Sequence, residues 1–316
     1  MSSRHSTDLM LKVAHLYYRQ RLTQGEVAAR VGVSRQTVSR ILQRAEDVGI
    51  VTVEIRAPQE DVSLLAEQLE DRFPDVSVHV VESDPSSLPH TMRVVARAAA
   101  RLCERRLTPG ATLGLAWGQT ALEFARGLST SPNEDVTVVQ VDGSIPGGPG
   151  TGGSEYVVHE AADSLGAIAR PLMSPLYVDT REIRNALVSD TRTAETLELA
   201  RAADIIAFSV GTVTDSSGLR SSGFLSSGQL VELADEGAVG EVCGQFFAID
   251  GSPRGLDLAA RSISVSLEDV ARVPVRIMFA AGVEKCEAVV GALAGRLATD
   301  LFVDARLAEA ILDAVG

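Results

Sequence analysis

Two short segments of the chain combine glycine with groups that can bind an anion. The first, residues 114–120, runs from a predicted strand into the start of a predicted helix. Without a side chain at Gly118, backbone N–H groups can approach an anion closely, the helix N-terminus adds partial positive charge, and Thr120 can donate a hydroxyl. The segment matches neither the P-loop nor the dinucleotide glycine pattern, and a turn that serves only the fold has a similar composition. Gly114, Gly118 and Thr120 are therefore candidate anion ligands.

The second segment, residues 282–285, follows another apolar run and begins a helix. The ammonium of Lys285 can serve there as a point charge for a phosphate. The chain contains only two lysines, Lys12 and Lys285, so a lysine at this place is consistent with a need for a compact cation. A surface lysine is the alternative, although its charge would oppose the helix dipole. We predict Gly282 and Lys285 as further anion ligands.

Polar residues at other strand ends and loops can contact sugar hydroxyls. Carboxylates accept hydrogen bonds from hydroxyl groups, although each can equally cap a turn. The candidate sugar contacts are Asp142, Gly143, Gly211, Thr212, Arg220, Glu241 and Asp250.

The segment 23–44 has the pattern of a helix-turn-helix unit. Thr23 followed by Glu26 predicts a capped helix start, and Gly32 stands where the corner between two helices requires left-handed backbone angles. Ser34 can cap the second helix. The predicted inner face comprises Ala28, Val38 and Ile41. Gly49 is expected to end the second helix, and residues 50–55 alternate like a short strand.

The outer face of the second helix carries side chains that suit DNA. Arginine can pair bidentately with guanine, glutamine with adenine, and serine or threonine with base edges or phosphate. Early residues of the recognition helix contact bases in this motif. The predicted DNA contacts are Ser34, Arg35, Gln36, Thr37, Ser39 and Arg40, with Arg44 on phosphate. A polar helix in a purely structural module is the alternative.

The elements that must position these residues alternate between apolar strands and helices. The predicted strands are 76–81, 112–116, 136–141, 205–210, 246–249, 275–279 and 301–303. Helical periodicity marks 92–107, 120–128, 195–203 and 286–297. This alternation predicts an α/β domain with a mostly parallel sheet and helices on both faces, beside a small all-α helix-turn-helix domain.

Charge is divided unevenly along the 316 residues. Residues 1–56 hold nine basic and five acidic side chains, a net charge of +4, whereas the remainder holds 20 basic and 37 acidic ones, a net charge of −17. This asymmetry predicts a DNA-binding arm on an acidic body that repels DNA. We therefore predict a helix-turn-helix domain over 1–56, a linker over 57–60, and an effector-binding and oligomerisation domain over 61–316.

The remaining composition argues for an intracellular protein without metal or cofactor. Cys103, Cys243 and Cys286 are an odd number and far apart, which disfavours a disulfide framework or a zinc site. The sequence has no apolar signal-peptide run, and no uncharged apolar stretch of about 18 residues that would span a membrane. We expect a cytoplasmic protein.

With these residues in view, the chain resembles the SorC-type transcriptional regulators, a sugar-binding group that includes deoxyribonucleoside-regulator-like proteins. The resemblance covers nearly the whole length and rests on the order and spacing of the blocks 11–24, 34–40, 114–120, 237–241 and 281–293. It implies an effector domain like the sugar-phosphate isomerases and CoA-transferases. It also implies a phosphorylated sugar as ligand, and homodimers or homotetramers on palindromic operators.

Carried over by position, the resemblance assigns roles to several residues. Trp117, Gly118, Gln119 and Thr120 resemble the phosphate cradle, and Lys285 resembles the lysine that meets the same phosphate. Arg220 and Glu241 are similar to effector contacts.

Two positions depart from the family pattern. Asp142 stands where some members carry a lysine that forms a Schiff base with the sugar, so the resemblance and this departure together predict non-covalent binding. Gln119 stands where arginine is common, which leaves a free sugar or polyol as an alternative to a phosphorylated one.

Together these features predict a DNA-binding transcriptional regulator of a carbohydrate catabolic operon, controlled by a sugar phosphate or related polyol, and not an enzyme. A sugar-phosphate isomerase or deaminase with an accessory DNA-binding module is one alternative, because fold alone does not decide chemistry. Such an enzyme needs a positioned base, yet no isomerase motif accompanies the available carboxylates. A third hypothesis is a binding module whose helices mainly serve protein assembly. The basic charge of residues 1–56 argues against it.

Overall fold

The structure is a computed structural model that describes residues 9–19, 22–47, 50–51, 60–82, 84, 86–129, 135–145, 153–214 and 217–316. The chain divides into two compact units, Met1–Ala57 and Pro58–Gly316. The predicted end of the recognition helix at Gly49, residues 52–55 of the predicted strand and residues 57–59 of the predicted linker lie outside the described residues. None of the helices that the structure describes is long and apolar enough to cross a membrane.

The N-terminal unit is helical over its described residues. Helix α1 (9–19) closes with a π-helical turn at His15–Arg19, and α2 (Gln24–Val31) and α3 (Arg35–Asp47) follow. The predicted capping box is present, because the Thr23 side chain accepts from the Glu26 N–H and the Glu26 carboxylate accepts from the Thr23 N–H. Gly32 adopts a φ of +74° and turns the chain between α2 and α3.

Apolar side chains from all three helices form one small core. Its buried members are Val13, Leu16, Val27, Ala28, Val38 and Leu42. The structure adds one residue to the predicted inner face of α3, since Leu42 is buried in this core and half-buried Ile41 packs against it. The cause is the helical spacing of four residues from Val38, which brings Leu42 rather than Ile41 to the centre of the face.

The C-terminal unit contains the elements α4 (Glu60–Arg72), β1 (Ser77–Val81), α5 (Leu88–Arg106), β2 (Thr112–Leu115), α6 (Gln119–Gly127), β3 (Thr137–Gln140), α7 (Ser154–Leu165), β4 (Ile168–Arg170), α8 (Arg181–Val188), α9 (Thr191–Arg201) and β5 (Ile205–Phe208). These are followed by β6 (Gly211–Thr212), α10 (Gly218–Ser221), α11 (Ser227–Asp235), β7 (Gly240–Val242), β8 (Gln245–Phe247), β9 (Pro253–Arg254), α12 (Leu256–Ala259) and α13 (Leu267–Arg272). The last elements are β10 (Val275–Ala280), a 3-10 turn (Val283–Lys285), α14 (Cys286–Ala294), β11 (Asp300–Asp304) and α15 (Ala305–Val315).

Seven strands form the main sheet, in the order β1-β11-β10-β5-β2-β3-β4, and every described pair in it is parallel. Alternate residues of one strand enter opposite cores: Ile205 and Ala207 pack with α5, α6 and α7, whereas Ile206 and Phe208 pack with α14 and α15. Burial on both faces requires strands that are apolar throughout. The predicted parallel sheet with helices on both faces is therefore confirmed.

The sequence did not predict the second sheet, in which four short strands pair antiparallel in the order β6-β7-β8-β9. The predicted strand 246–249 was assigned to the parallel pattern, but β8 lies in this second sheet. A tight turn joins β7 to β8, with positive φ at both Cys243 and Gly244. Strands of two or three residues are too short to produce a recognisable period.

The strand order decides which loops meet. Strands β10, β5 and β2 are neighbours, and all three run in the same direction. The segments that follow them are 281–285, 209–212 and 116–120, and they emerge at the same edge of the sheet. In open parallel sheets, ligands bind at this carboxyl edge.

Candidate functional site

A cavity of about 590 Å³ lies at the carboxyl edge of the main sheet. Eight of the predicted effector residues line it, namely Trp117, Gly118, Gln119, Thr120, Gly211, Thr212, Glu241 and Lys285. Three separate strand ends and the second sheet supply these residues. The volume is in the usual range for small-molecule sites.

The turn between β2 and α6 forms one wall of the cavity. Gly118 has a φ of +127° and a ψ of 164°, a backbone conformation that essentially only glycine adopts. Helix α6 begins immediately afterwards, at Gln119, and its first turn carries the partial positive charge of a helix N-terminus. Thr120 is almost fully buried at this turn. The geometry gives a ligand anion access to backbone N–H groups.

Lys285 approaches the cavity from the other side. Its Nζ donates to Ser209 Oγ at 2.9 Å and to the Val210 carbonyl at 3.0 Å. Burial lowers the pKa of Lys285 to about 8, because desolvation disfavours the ammonium, while Glu284 and Glu241 oppose the change. An ammonium has three N–H donors, so the two contacts leave one for a ligand.

Glu241 supplies the acid of the cavity. The side chain is buried, and one carboxylate oxygen accepts from the Gly244 N–H at 2.9 Å. Burial raises the pKa of Glu241 to about 7, against the opposing effects of that hydrogen bond and of Lys285. Gly211 makes room for it, because a Cβ there would lie 2.2 Å from Glu241 Oε1. Near neutral pH the group can accept from a sugar hydroxyl or, when protonated, donate to one.

Asp142 lies beneath this site. It is fully buried, its Oδ2 accepts from the Trp117 N–H at 3.2 Å, and burial raises its pKa well above the ordinary value. Asp142 is not among the described residues that line the cavity, and its observed contact supports the Trp117 turn.

Three predicted glycines also serve packing instead of lining the cavity. Gly114 lies inside β2, where a Cβ would meet Val141 Cγ1 at 2.8 Å, and Gly143 lies against the backbone of Leu176. Gly282 has a φ of +96°, and its N–H donates to Asp304 Oδ2 at 2.8 Å. Each position requires glycine for close approach or for its backbone angle.

Arg220 and Asp250 are likewise absent from the cavity wall that the structure describes. Arg220 lies on the short α10, and its Nε donates to Ser227 Oγ at 3.1 Å. Asp250 lies in the exposed loop after β8, where its carboxylate accepts from the N–H and hydroxyl of Ser252. The contacts with Ser252 are those of turn capping, which is the alternative role that the sequence allows for this carboxylate.

Sequence reasoning missed part of the lining. The additional residues are Met92, Ile145, Gly153, Ser209, Val210, Ser217, Gly218, Ser221 and Ser222. A signal existed for four of them, because they belong to the serine- and glycine-rich segment around Arg220. Gly218 has a specific role: a Cβ there would lie 2.6 Å from Trp117 Cη2, so the indole ring lies directly against this glycine.

In the N-terminal unit, α3 presents the predicted DNA contacts. The Thr37 N–H donates to Ser34 Oγ at 3.1 Å, as at a helix N-cap, so Ser34 and half-buried Thr37 also stabilise the helix start. The exposed members of the predicted set are Ser34, Arg35, Gln36, Ser39, Arg40 and Arg44. Gln36, Arg40 and Arg44 lie on the side of α3 away from buried Val38 and Leu42, whereas Ser34 and Arg35 stand at the start of the helix.

Two family models match this chain. Residues 57–313 match the family model of a sugar-binding domain, and residues 13–60 match the MarR family. The chain belongs to the SorC-type family of transcriptional regulators. The predicted family, the DNA-binding helix-turn-helix and the sugar-binding domain are therefore confirmed.

Individual relatives match over almost the full chain. The deoxyribonucleoside regulator of Bacillus subtilis is 28% identical over 310 residues, covering 98% of this chain and 99% of that protein. The uncharacterized transcriptional regulator YjhU of Escherichia coli is 30% identical over 324 residues, covering 98% and 96%. The crystal structure of the full-length sorbitol operon regulator SorC from Klebsiella pneumoniae has a TM-score of 0.78 and 25% identity, covering 97% of this chain and 98% of that one.

These relatives are regulators, not enzymes, so the alternative of an isomerase or deaminase has no support. Within the described residues, no group of three or more His, Cys, Asp or Glu side chains is placed to hold a metal ion.

Proposed function

We propose that this regulator binds a sugar or polyol with at most one phosphate group in the 590 Å³ cavity, and that binding changes the affinity of α3 for operator DNA. The observation that carries the proposal is the convergence of the α6 N-terminus, Lys285 and Glu241 on one cavity at the carboxyl edge of the sheet. An anion-binding end and a hydroxyl-binding acid suit the two ends of a sugar phosphate.

Charge limits the number of phosphates. Among the described lining residues, Lys285 is the one Lys or Arg side chain, and Glu241 is acidic. Two phosphates would bring several negative charges into a site with one ammonium and one helix N-terminus. A monophosphate, or an uncharged sugar or polyol, matches this balance better.

The rest of the wall is suited to a carbohydrate. The Trp117 ring offers an apolar surface for C–H groups, and the hydroxyls of Thr212, Ser221 and Ser222 can exchange hydrogen bonds with sugar hydroxyls. Since Asp142 is a carboxylate, we propose reversible, non-covalent binding. Relatives are named for a deoxyribonucleoside and for the sorbitol operon, and we accordingly place this chain at a carbohydrate catabolic operon.

DNA recognition is assigned to α3 within a domain over residues 1–56, joined through 57–60 to an effector and oligomerisation domain over 61–316. Two recognition helices must be spaced by about one DNA turn or a multiple of it, so we propose a homodimer or homotetramer on a palindromic operator.

The experiment uses Trp117, the single tryptophan of the sequence, as a built-in reporter. Intrinsic fluorescence and thermal unfolding are followed while phosphorylated and free sugars and polyols are added. We expect a saturable fluorescence change and a higher Tm with a small subset of monophosphates or polyols. The same ligand should change the binding of fluorescent DNA from upstream of the chain's own operon. A ligand set restricted to bisphosphates, or no carbohydrate response at all, would contradict the proposal.

A further inference from the structure

A second cavity, of about 430 Å³, lies at the opposite edge of the main sheet. It is bounded by the end of α4, the start of β10 and the end of α14, at the amino-terminal ends of the neighbouring strands β1, β11 and β10. Its wall combines the apolar side chains Phe73, Val76, Ala271, Leu293 and Ala298 with the three arginines Arg72, Arg276 and Arg296. Exposed Asp75 is the one acid among the described lining residues.

Arg276 has a buried donor that lacks an acceptor. Its Nη1 donates to the Val273 carbonyl, but its Nε is buried with no hydrogen-bond partner in the described part of the chain. Asp300 attracts Arg276, yet the Asp300 oxygens accept from Thr299 at 2.8 Å and lie 3.7 Å from Arg106. A buried charged donor without an acceptor is unfavourable unless something else supplies one.

Arg296 occupies a position that glycine usually fills. The end of α14 is a Schellman motif, in which the Arg296 N–H donates to the Leu293 carbonyl and the Leu297 N–H donates to the Ala292 carbonyl. The residue in the left-handed conformation is Arg296, with a φ of +57°. Glycine is the favoured residue there, so arginine brings a positive side chain to the cavity at a conformational cost.

The local charge is opposite to that of the surrounding domain. Residues 57–316 carry a net charge of −17, whereas the cavity lining has three cations and one acid. Within the described residues, neither Arg72 nor Arg296 forms a salt bridge. The cavity therefore offers clustered guanidinium groups beside an apolar wall.

We propose that this cavity binds a small organic anion, in which one carboxylate or phosphate group is attached to an apolar body. Arg276 contributes its guanidinium charge, Arg296 and Arg72 add charge from the rim, and Phe73 and Leu293 cover the apolar part. Guanidinium groups bind both oxyanions bidentately, so the two head groups share one recognition chemistry. The site is separate from the sugar cavity, and it stands whether or not the carbohydrate proposal holds.

The test is saturation-transfer NMR on the full-length protein with phenyl phosphate and phenylacetate as probes, titrated to obtain Kd. Inorganic phosphate lacks the apolar body and has no carbon-bound protons, so its binding is measured by competition with the aromatic anion. 2-Phenylethanol lacks the anion and is observed directly. We expect at least one of the two aromatic anions to bind, and both partial probes to bind at least about tenfold more weakly. The aromatic anion that binds better identifies the preferred head group.

Variants locate the binding. Arg296→Gly should raise Kd about tenfold, the effect of losing one charge-assisted contact, and should not lower the Tm, because glycine suits the backbone angle. Arg276→Met keeps the apolar stem and should weaken binding at least as much. Arg93→Met, at an exposed arginine outside the cavity, and Lys285→Met in the sugar cavity should leave Kd unchanged. Binding retained in both cavity variants, binding lost in Lys285→Met, or no binding of either aromatic anion would overturn the proposal.

Discussion

Lys285 and Glu241 bring opposite charges into one cavity, and desolvation disfavours the charged form of each. The pKa of Lys285 falls to about 8 and that of Glu241 rises to about 7. Both groups are therefore close to titration at neutral pH, where a bound phosphate would favour the ammonium of Lys285. A bound hydroxyl could donate a hydrogen bond to the Glu241 carboxylate or accept one from its protonated form. This pair gives the site a chemical polarity that a wall of serine hydroxyls alone would lack.

Replacement of Lys285 tests the anion end. In Lys285→Met the ligand phosphate loses its ammonium partner, and affinity for a sugar monophosphate should fall by about 2 kcal/mol, or some 30-fold. Affinity for the matching unphosphorylated sugar should change little. The measurement is a Trp117 fluorescence titration with both ligands, and Arg93→Met serves as a charge-matched control. Equal losses for the two ligands would place the phosphate elsewhere.

Glu241 also makes folding depend on pH. Between pH 4.5 and about 7 the folded protein keeps the Glu241 proton while the unfolded chain releases it, so stability falls as pH rises through this window. In Glu241→Gln this fall is removed. The free energy of unfolding of the variant relative to wild type should increase by up to about 3 kcal/mol across the window.

Urea unfolding at several pH values measures this difference. Glu284→Gln removes an exposed carboxylate from the neighbouring turn and should show no such trend. If the free energy of unfolding of Glu241→Gln varies with pH as it does in wild type, Glu241 does not carry the raised pKa.

The sequence allowed some of these residues to be predicted and concealed others. Lys285 was detectable because lysine is rare in this chain, and Gly118 because it precedes a helix. Met92 and Ser209 carried no local signal, since their place in the cavity depends on which strands become neighbours. Asp250 lies apart from the described cavity wall, and the sequence did not show this because a carboxylate after a strand looks the same whether it faces a ligand or caps a turn.

At the scale of elements, α10 and the β2–α6 turn depend on a contact that only glycine permits. A Cβ on Gly218 would lie 2.6 Å from Trp117 Cη2. In Gly218→Ala the indole must shift away from the new methyl group, which should weaken ligand binding about tenfold and destabilise the protein by about 1–3 kcal/mol. In the control Gly228→Ala, the nearest atom is Ser226 Oγ at 3.8 Å, so both quantities should stay close to wild type.

The result is read from Trp117 fluorescence and thermal unfolding together. A change in Tm without a change in ligand affinity would mean that Trp117 supports the fold but does not contact the ligand.

DNA recognition by helix α3 can be tested by substitution. Arg40 is exposed on its outer face, and its guanidinium can pair with a guanine edge. Arg40→Ala should weaken operator binding by about 1–3 kcal/mol and relax preference at one base position. Arg30→Ala removes the same charge from α2 and should have a smaller, sequence-independent effect. Fluorescence anisotropy with operator and scrambled DNA measures both. Unchanged specificity in Arg40→Ala would reject α3 as the reading helix.

The lengths of the helices and strands explain why most of the fold could be predicted from the sequence. Long strands such as β10 and amphipathic helices such as α5 impose a period over many residues, and the parallel sheet follows from their alternation. The small antiparallel sheet has strands of two or three residues, below the length at which period 2 is visible. Glu241 enters the cavity from that sheet. The resemblance to the family predicted Glu241 as an effector contact, but the sequence could not predict which groups surround its side chain.

For the whole molecule, the N-terminal 56 residues carry a net charge of +4 and the remainder −17. An acidic body disfavours approach to DNA, so binding depends on the few basic groups of α3. Operator affinity should consequently fall steeply with salt, and Arg44→Ala should reduce the slope of log affinity against log salt by about one.

Thermodynamic linkage gives the last prediction. If the sugar ligand lowers operator affinity by some factor, saturating operator DNA must lower sugar affinity by the same factor. Trp117 fluorescence titrations with and without operator, and anisotropy titrations with and without sugar, measure the two factors independently. A coupling of about 1–3 kcal/mol is expected in wild type. In Lys285→Met the operator affinity without ligand should be unchanged. A sugar monophosphate, added at the concentration that changes operator binding by the wild-type protein, should no longer alter it. If saturating sugar leaves operator affinity unchanged in wild type, the ligand binds without regulating, because a ligand with equal affinity for both states shifts neither.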